Sequence, residues 1–146
     1  MAIDRKGEFW RGEDFTDLAD YLREFKPGGY PVARVKEVIC PRCAGTTFAV
    51  LVDDEEGCAE VSCVACGESA FVADSADYWM DAEPGDCACP CGGEVFQVAV
   101  GFALYAEGEV RWISVGLRCV QDGTMGVYAD WKINYSPTDH LLDGAA

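Results

Sequence analysis

Apolar positions along the chain follow a helical period once and a strand-like period many times. After Asp14 the residues Phe15, Leu18, Ala19, Leu22 and Phe25 fall at the spacing of one buried stripe. Asp14 suits an N-cap, and Pro27-Gly28-Gly29 stops the pattern. The segment therefore predicts an amphipathic helix of about three turns. Its stripe suits the covering of one face of a sheet, with docking on a partner protein as the alternative use. Strand-like runs rich in Val, Phe, Tyr and Ile predict strands over 30–39, 46–52, 60–63, 70–73, 94–106, 110–118 and 126–134. The acidic turn Asp53-Asp54-Glu55-Glu56-Gly57 joins one pair as a hairpin, and Glu107-Gly108-Glu109 joins another. Residues 74–86 read as a polar connector holding Tyr78, Trp79 and Met80, and the stretch beyond Tyr135, with His140, reads as irregular. The expected class is mainly β, a small α+β protein with one N-terminal helix.

Cysteine changes this picture most. The chain of 146 residues has nine, at 40, 43, 58, 63, 66, 87, 89, 91 and 119. An odd count with no export signal favours metal ligation or thiol chemistry over a disulfide framework. The clearest unit is Cys40-Pro-Arg-Cys43, then 19 residues, then Cys63-Val-Ala-Cys66-Gly67. Two such turns aim four thiolates at one point, and thiolate softness selects zinc over magnesium or calcium.

These motifs resemble those of the zinc-ribbon family over residues 38–73. The resemblance implies short antiparallel strands clamping one structural zinc ion, held by Cys40, Cys43, Cys63 and Cys66, with no open coordination position. The pattern then returns in divergent form. Cys89-Pro-Cys91-Gly-Gly-Glu-Val-Phe aligns with Cys40-Pro-Arg-Cys43-Ala-Gly-Thr-Thr-Phe after one deletion, and Cys119-Val-Gln-Asp122-Gly aligns without a gap on Cys63-Val-Ala-Cys66-Gly. Here 27 residues separate the inner ligand positions. A second zinc would take Cys89, Cys91 and Cys119, with either Asp122 or Cys87 as fourth ligand. The alternative is a ribbon that has lost its ion and holds by its sheet. Cys58 fits neither site and reads as a buried small hydrophobe. The expected organisation is a helix and lead-in strand over 1–37, a first ribbon over 38–76, a second over 87–135, and a tail over 136–146.

Charge narrows the partners. Acidic residues outnumber Lys and Arg by 26 to 11, and between Cys43 and Val110 there are 14 acidic residues and no Lys or Arg. That opposes a phosphate backbone, whose binding needs clustered cations, and attracts basic proteins. Trp10, Trp79, Trp112 and Trp131, with Tyr105, Tyr128 and Tyr135, lack the basic groove of a nucleic-acid stacking platform, so they read as packing between ribbons or as the centre of a protein-binding patch. Nowhere do about 18 apolar residues follow one another, so no membrane span is expected and a cytoplasmic location follows. No phosphate loop, dinucleotide fingerprint or nucleophile elbow occurs. The leading reading is a non-enzymatic zinc protein presenting an acidic surface to a basic partner, as an inhibitor, immunity factor or adaptor. Alternatives are a zinc-thiolate redox sensor using Cys87, Cys89 and Cys91, and an enzyme of unrecognised type. Exposed ribbon edges also make a homodimer by sheet extension feasible.

Overall fold

A computed structural model describes residues 10–133 and residue 141. The helix α1 spans Phe15–Phe25. Asp14 Oδ1 accepts from the Asp17 N–H at 3.1 Å, and Asp17 Oδ2 in turn accepts from the Glu13 N–H at 2.8 Å. These two carboxylates satisfy N–H groups that the first turn leaves unpaired. At the other end Lys26 adopts a left-handed conformation and its N–H closes onto the Leu22 carbonyl.

The strands are β1 (Arg34–Glu37), β2 (Phe48–Asp53), β3 (Cys58–Cys63), β4 (Ser69–Phe71), β5 (Gly85–Asp86), β6 (Phe96–Leu104), β7 (Val110–Cys119) and β8 (Met125–Lys132). Each expected strand segment overlaps one of these: 30–39 and 94–106 are trimmed at both ends, whereas β2, β3, β4, β7 and β8 each reach one or two residues beyond an expected bound. Of the expected 126–134 strand, Asn134 lies outside the described residues, as do Tyr135 and His140. The two-residue β5 is too short to leave a periodic signal. It falls in the expected polar connector, which also forms two single turns of 3-10 helix, Ser75–Asp77 and Trp79–Asp81. There Trp79 packs edge-on against Phe71, with ring centroids 5.2 Å apart.

All pairings are antiparallel, and the main path of the sheet runs β4-β3-β2-β6-β7-β8. Two three-stranded meanders thus lie side by side. Along the sheet they are joined by one ladder pair, Phe48 opposite Phe96. Past that pair β2 takes β5 as its neighbour, while β6 takes β1. The order reads alike from either end, and Phe48 faces Cys63 within its meander as Phe96 faces Cys119 within the other. Equivalent residues of the sequence repeat therefore meet across a local two-fold axis.

The sheet curls until β8 returns toward β3. The Trp131 ring lies over Gly57, its indole N–H donates to Asp74 Oδ1 at 3.2 Å, and the Asp130 N–H donates to Asp54 Oδ1 at 3.1 Å. The enclosed core takes Val50, Val61, Phe96, Val98, Val100, Phe102, Ile113, Val115 and Leu117 from the strands that surround it.

On its other face the sheet carries α1. Leu18, Tyr21 and Leu22 pack against Ala99 and Met125, with Trp10 and Phe15 at the margin. The sheet positions beneath the helix are small: Ala99, Gly101, Ser114 and Gly116. A Cβ on Gly116 would stand 2.9 Å from Leu22 Cδ2, so this glycine sets how closely the helix can approach. Both faces of β7 are covered. Ile113, Val115 and Leu117 enter the curled core, while Ser114 and Gly116 lie under α1. Each fully buried Leu contributes about 1.5–3 kcal/mol relative to exposure, so Leu18 and Leu22 anchor the helix on the sheet.

Candidate metal centres

Cys40 and Cys43 lie in the turn that precedes β2, while Cys63 ends β3 and Cys66 lies in the turn that leads on to β4. The β2–β3 register places Cys63 opposite Phe48, which brings the two turns together at one end of the hairpin. The backbone then folds each turn around its sulfurs. The Cys40 N–H donates to the Gly45 carbonyl at 2.8 Å and the Ala44 N–H to the Cys40 carbonyl at 2.8 Å. On the other side the Cys63 N–H donates to Glu68 O at 2.8 Å and the Gly67 N–H to Cys63 O at 2.8 Å. The sulfurs of Cys40 and Cys66 are 3.5 Å apart, as are those of Cys43 and Cys63, and all four lie within 4.8 Å of one another. Cys40 and Cys63 are buried, Cys66 half-buried and Cys43 exposed.

The second cluster repeats this construction bond for bond. The Cys89 N–H donates to Gly93 O at 2.8 Å and the Gly92 N–H to Cys89 O at 2.8 Å, while the Cys119 N–H donates to Thr124 O at 2.8 Å and the Gly123 N–H to Cys119 O at 2.9 Å. A cross-turn bond also recurs, from the Val64 N–H to Thr47 O at 3.2 Å and from the Val120 N–H to Val95 O at 3.1 Å. Gly67 and Gly123 share a φ of +82°, a conformation in which a side chain would strain the turn. The structure brings together Cys89, Cys91, Cys119 and Asp122, whose donor atoms lie within 4.8 Å of one another. Cys89 Sγ sits 3.4 Å from Asp122 Oδ1, and Cys91 Sγ sits 3.7 Å from Cys119 Sγ.

Cys87, the other candidate for a fourth ligand, is not in that cluster. Immediately after β5, its N–H donates to the Val50 carbonyl at 2.9 Å, and its side chain is buried in the main core. Burial, with a smaller contribution from Asp86, pushes its thiol up to about 12. Pairing to β2 has turned it inward, away from the knuckle two residues later. Cys58 is likewise buried, and burial raises its thiol to about 11.

The donor set fits a tetrahedral thiophilic ion. Four sulfurs at about 2.3 Å from a common centre stand roughly 3.8 Å apart, close to the spacings found. Electrostatics points the same way, because crowded thiols cannot all ionise without a cation between them. The Cys43 N–H holds the Cys40 thiol down at about 7. The Gly45 N–H also favours the Cys43 thiolate, but the sulfurs of Cys63 and Cys66 outweigh it and push Cys43 up to about 12. In the second cluster burial lifts Cys89 to about 12. There the Thr124 N–H, 2.9 Å from Asp122 Oδ1, holds the Asp122 carboxyl down at about 2, so it stands as an anion facing the three sulfurs. Both clusters can hold a metal ion, and each supplies four donors.

The supports around the second cluster left no mark in the motif itself. Arg118 and Thr124 flank the knuckle, and Arg11 reaches Asp122 Oδ2 at 4.0 Å from the far end of the chain. Gly12 meets the second turn through its N–H, which donates to the Gly123 carbonyl. Among the described residues no helix is long and apolar enough to cross a membrane. Comparison of the chain with protein-family models, with curated proteins and with solved structures gives no match.

Proposed function

We propose that the protein is a non-enzymatic binding module, stapled by two structural zinc ions, that presents an acidic surface to a basic protein partner. The observation that carries this reading is the pair of four-donor clusters, each formed by the same backbone hydrogen bonds at the end of its own hairpin. Thiolates favour zinc among the common divalent ions, and a carboxylate oxygen is an acceptable fourth ligand. A closed set of four protein donors offers no position for water or substrate, which fits a structural role. Cys40, Cys43, Cys63 and Cys66 would hold one ion, and Cys89, Cys91, Cys119 and Asp122 the other. The metal would supply a cross-link between the two turns at the end of each hairpin.

The acidic surface supports the second half of the reading. Asp53, Asp54, Glu55, Glu56, Asp81 and Glu83 line one open groove, in a stretch of chain that carries no Lys or Arg. Such a surface speeds encounter with a cationic protein at low salt.

Elemental analysis of the purified chain tests the metal reading: two zinc equivalents are expected, and chelation should expose the hairpin ends to proteolysis. A chain that folds unchanged after exhaustive chelation would sink it. The partner reading predicts salt-sensitive retention of a basic protein, weakened by the combined D54N, E55Q and E56Q substitutions. Equal retention by that variant would overturn the groove's part in binding.

A further inference from the structure

The two clusters differ in what lies over them, and that difference makes one of them a latch. The turn of the first cluster is open: a Cβ on Gly67 would meet nothing within 4 Å. The matching turn of the second is covered by residues 10–12, so closely that a Cβ on Gly123 would stand 2.6 Å from the Gly12 carbonyl oxygen. The Gly12 N–H donates to Gly123 O at 2.9 Å, and the Met125 N–H donates to Trp10 O at 2.8 Å. Arg11 pairs with Thr124 as an isolated antiparallel bridge. Arg118 Nε donates to Gly12 O at 2.7 Å while its Nη1 donates to Gln97 Oε1 at 3.0 Å. Finally, the two oxygens of Asp122 divide their contacts: Oδ1 faces Cys89 and the Thr124 N–H, and Oδ2 faces Arg11.

We propose that metal binding at Cys89, Cys91, Cys119 and Asp122 locks residues 10–12, and with them the first turn of α1, onto the sheet. The proposal rests on the reading of that cluster as a metal site. The turn 119–124 holds two ligands and supplies the carbonyl and carboxylate contacts that grip the segment, and the next residue, Met125, supplies the amide. An ion that fixes Asp122 and Cys119 fixes those contacts. The segment enters α1 directly, since a Cβ on Gly12 would stand 2.7 Å from Asp17 Cβ and 2.8 Å from Met125 Sδ. Coupling between the two is reciprocal, so the docked segment must also slow loss of the metal.

The test uses the full chain and Cys91→Ala, which removes an exposed ligand on the opposite knuckle without touching residues 10–12. Hydrogen exchange is read by mass spectrometry alongside zinc content. With one ion lost, exchange across 10–17 should rise roughly tenfold, the lower end of what partners behind a metal ligand contribute. The first cluster and the β6–β7 hairpin should keep their protection. Unchanged exchange across 10–17 would overturn the latch, and so would equal loss across β6, β7 and α1, because the ion would then hold the whole meander. In the reverse direction, Arg11→Ala and Arg118→Ala should each hasten zinc loss from the second cluster to a chelator, roughly tenfold. Identical release from both variants and the parent chain would refute the coupling. A parent chain that takes up no second zinc removes the metal reading itself, a result separate from two bound ions with no latch.

Discussion

The two meanders share their turns and differ in their strands. In the first, β2 and β3 have six residues each and β4 has three; in the second, β6, β7 and β8 have nine, ten and eight. The longer strands also carry α1 on their outer face, as the shorter ones do not. One half therefore has more apolar burial behind its knuckles than the other. The half with the larger core is also the one whose ligand set departs from four sulfurs. The comparison predicts that need for a metal scales inversely with buried surface, so that the hairpin of six-residue strands should depend on an ion more than the ten-residue strand covered on both faces.

The largest effect should come from breaking the same bond in both halves. Cys63→Ser should cost one zinc equivalent and unfold the first meander, because apparent zinc binding of about 10–16 kcal/mol in small sites is also folding free energy. Cys119→Ser should release the other ion while β6–β7–β8 keeps its exchange protection. Equal unfolding by the two variants, seen by circular dichroism and hydrogen exchange, would erase the distinction. Next, Leu22→Ala removes a fully buried side chain from above Gly116 and should destabilise the chain by about 2–5 kcal/mol in urea titration, with zinc content unchanged. A loss within about 0.5 kcal/mol would show that α1 adds nothing to the second half. The smallest change is Asp122→Cys, which makes the two ligand sets alike. Substituting cobalt for zinc should then give matching thiolate charge-transfer bands at both sites, whereas the parent should show a weaker band at the second. Identical bands in the parent would remove Asp122 from the coordination sphere.

The sequence carried the local rules and not the long-range ones. The spacing of cysteines set both turns because a Cys-x-x-Cys knuckle is closed by hydrogen bonds within a few residues, and the stripe from Phe15 to Phe25 set the helix for the same reason. The repeat was legible too, since Gly67 and Gly123 occupy the same left-handed position. What escaped was each feature that depends on distant chain. Cys87 stands close enough in sequence to serve the second cluster, but its pairing with Val50 turns it into the core. The small floor of Ala99, Gly101, Ser114 and Gly116 has meaning only once a helix is known to lie on it. Residues 10–12 are too few to show a period, and their neighbour Gly123 is more than a hundred positions away.

Phe48 opposite Phe96 places like against like, as the faces of a symmetric homodimer do. Two identical subunits meeting on such a dyad must accept every substitution twice. A single polypeptide bearing both halves is freed from that obligation, so one knuckle can exchange sulfur for carboxylate at Asp122 while its counterpart retains Cys66. Covalent linkage here turns symmetry from a constraint into a template from which either side can drift.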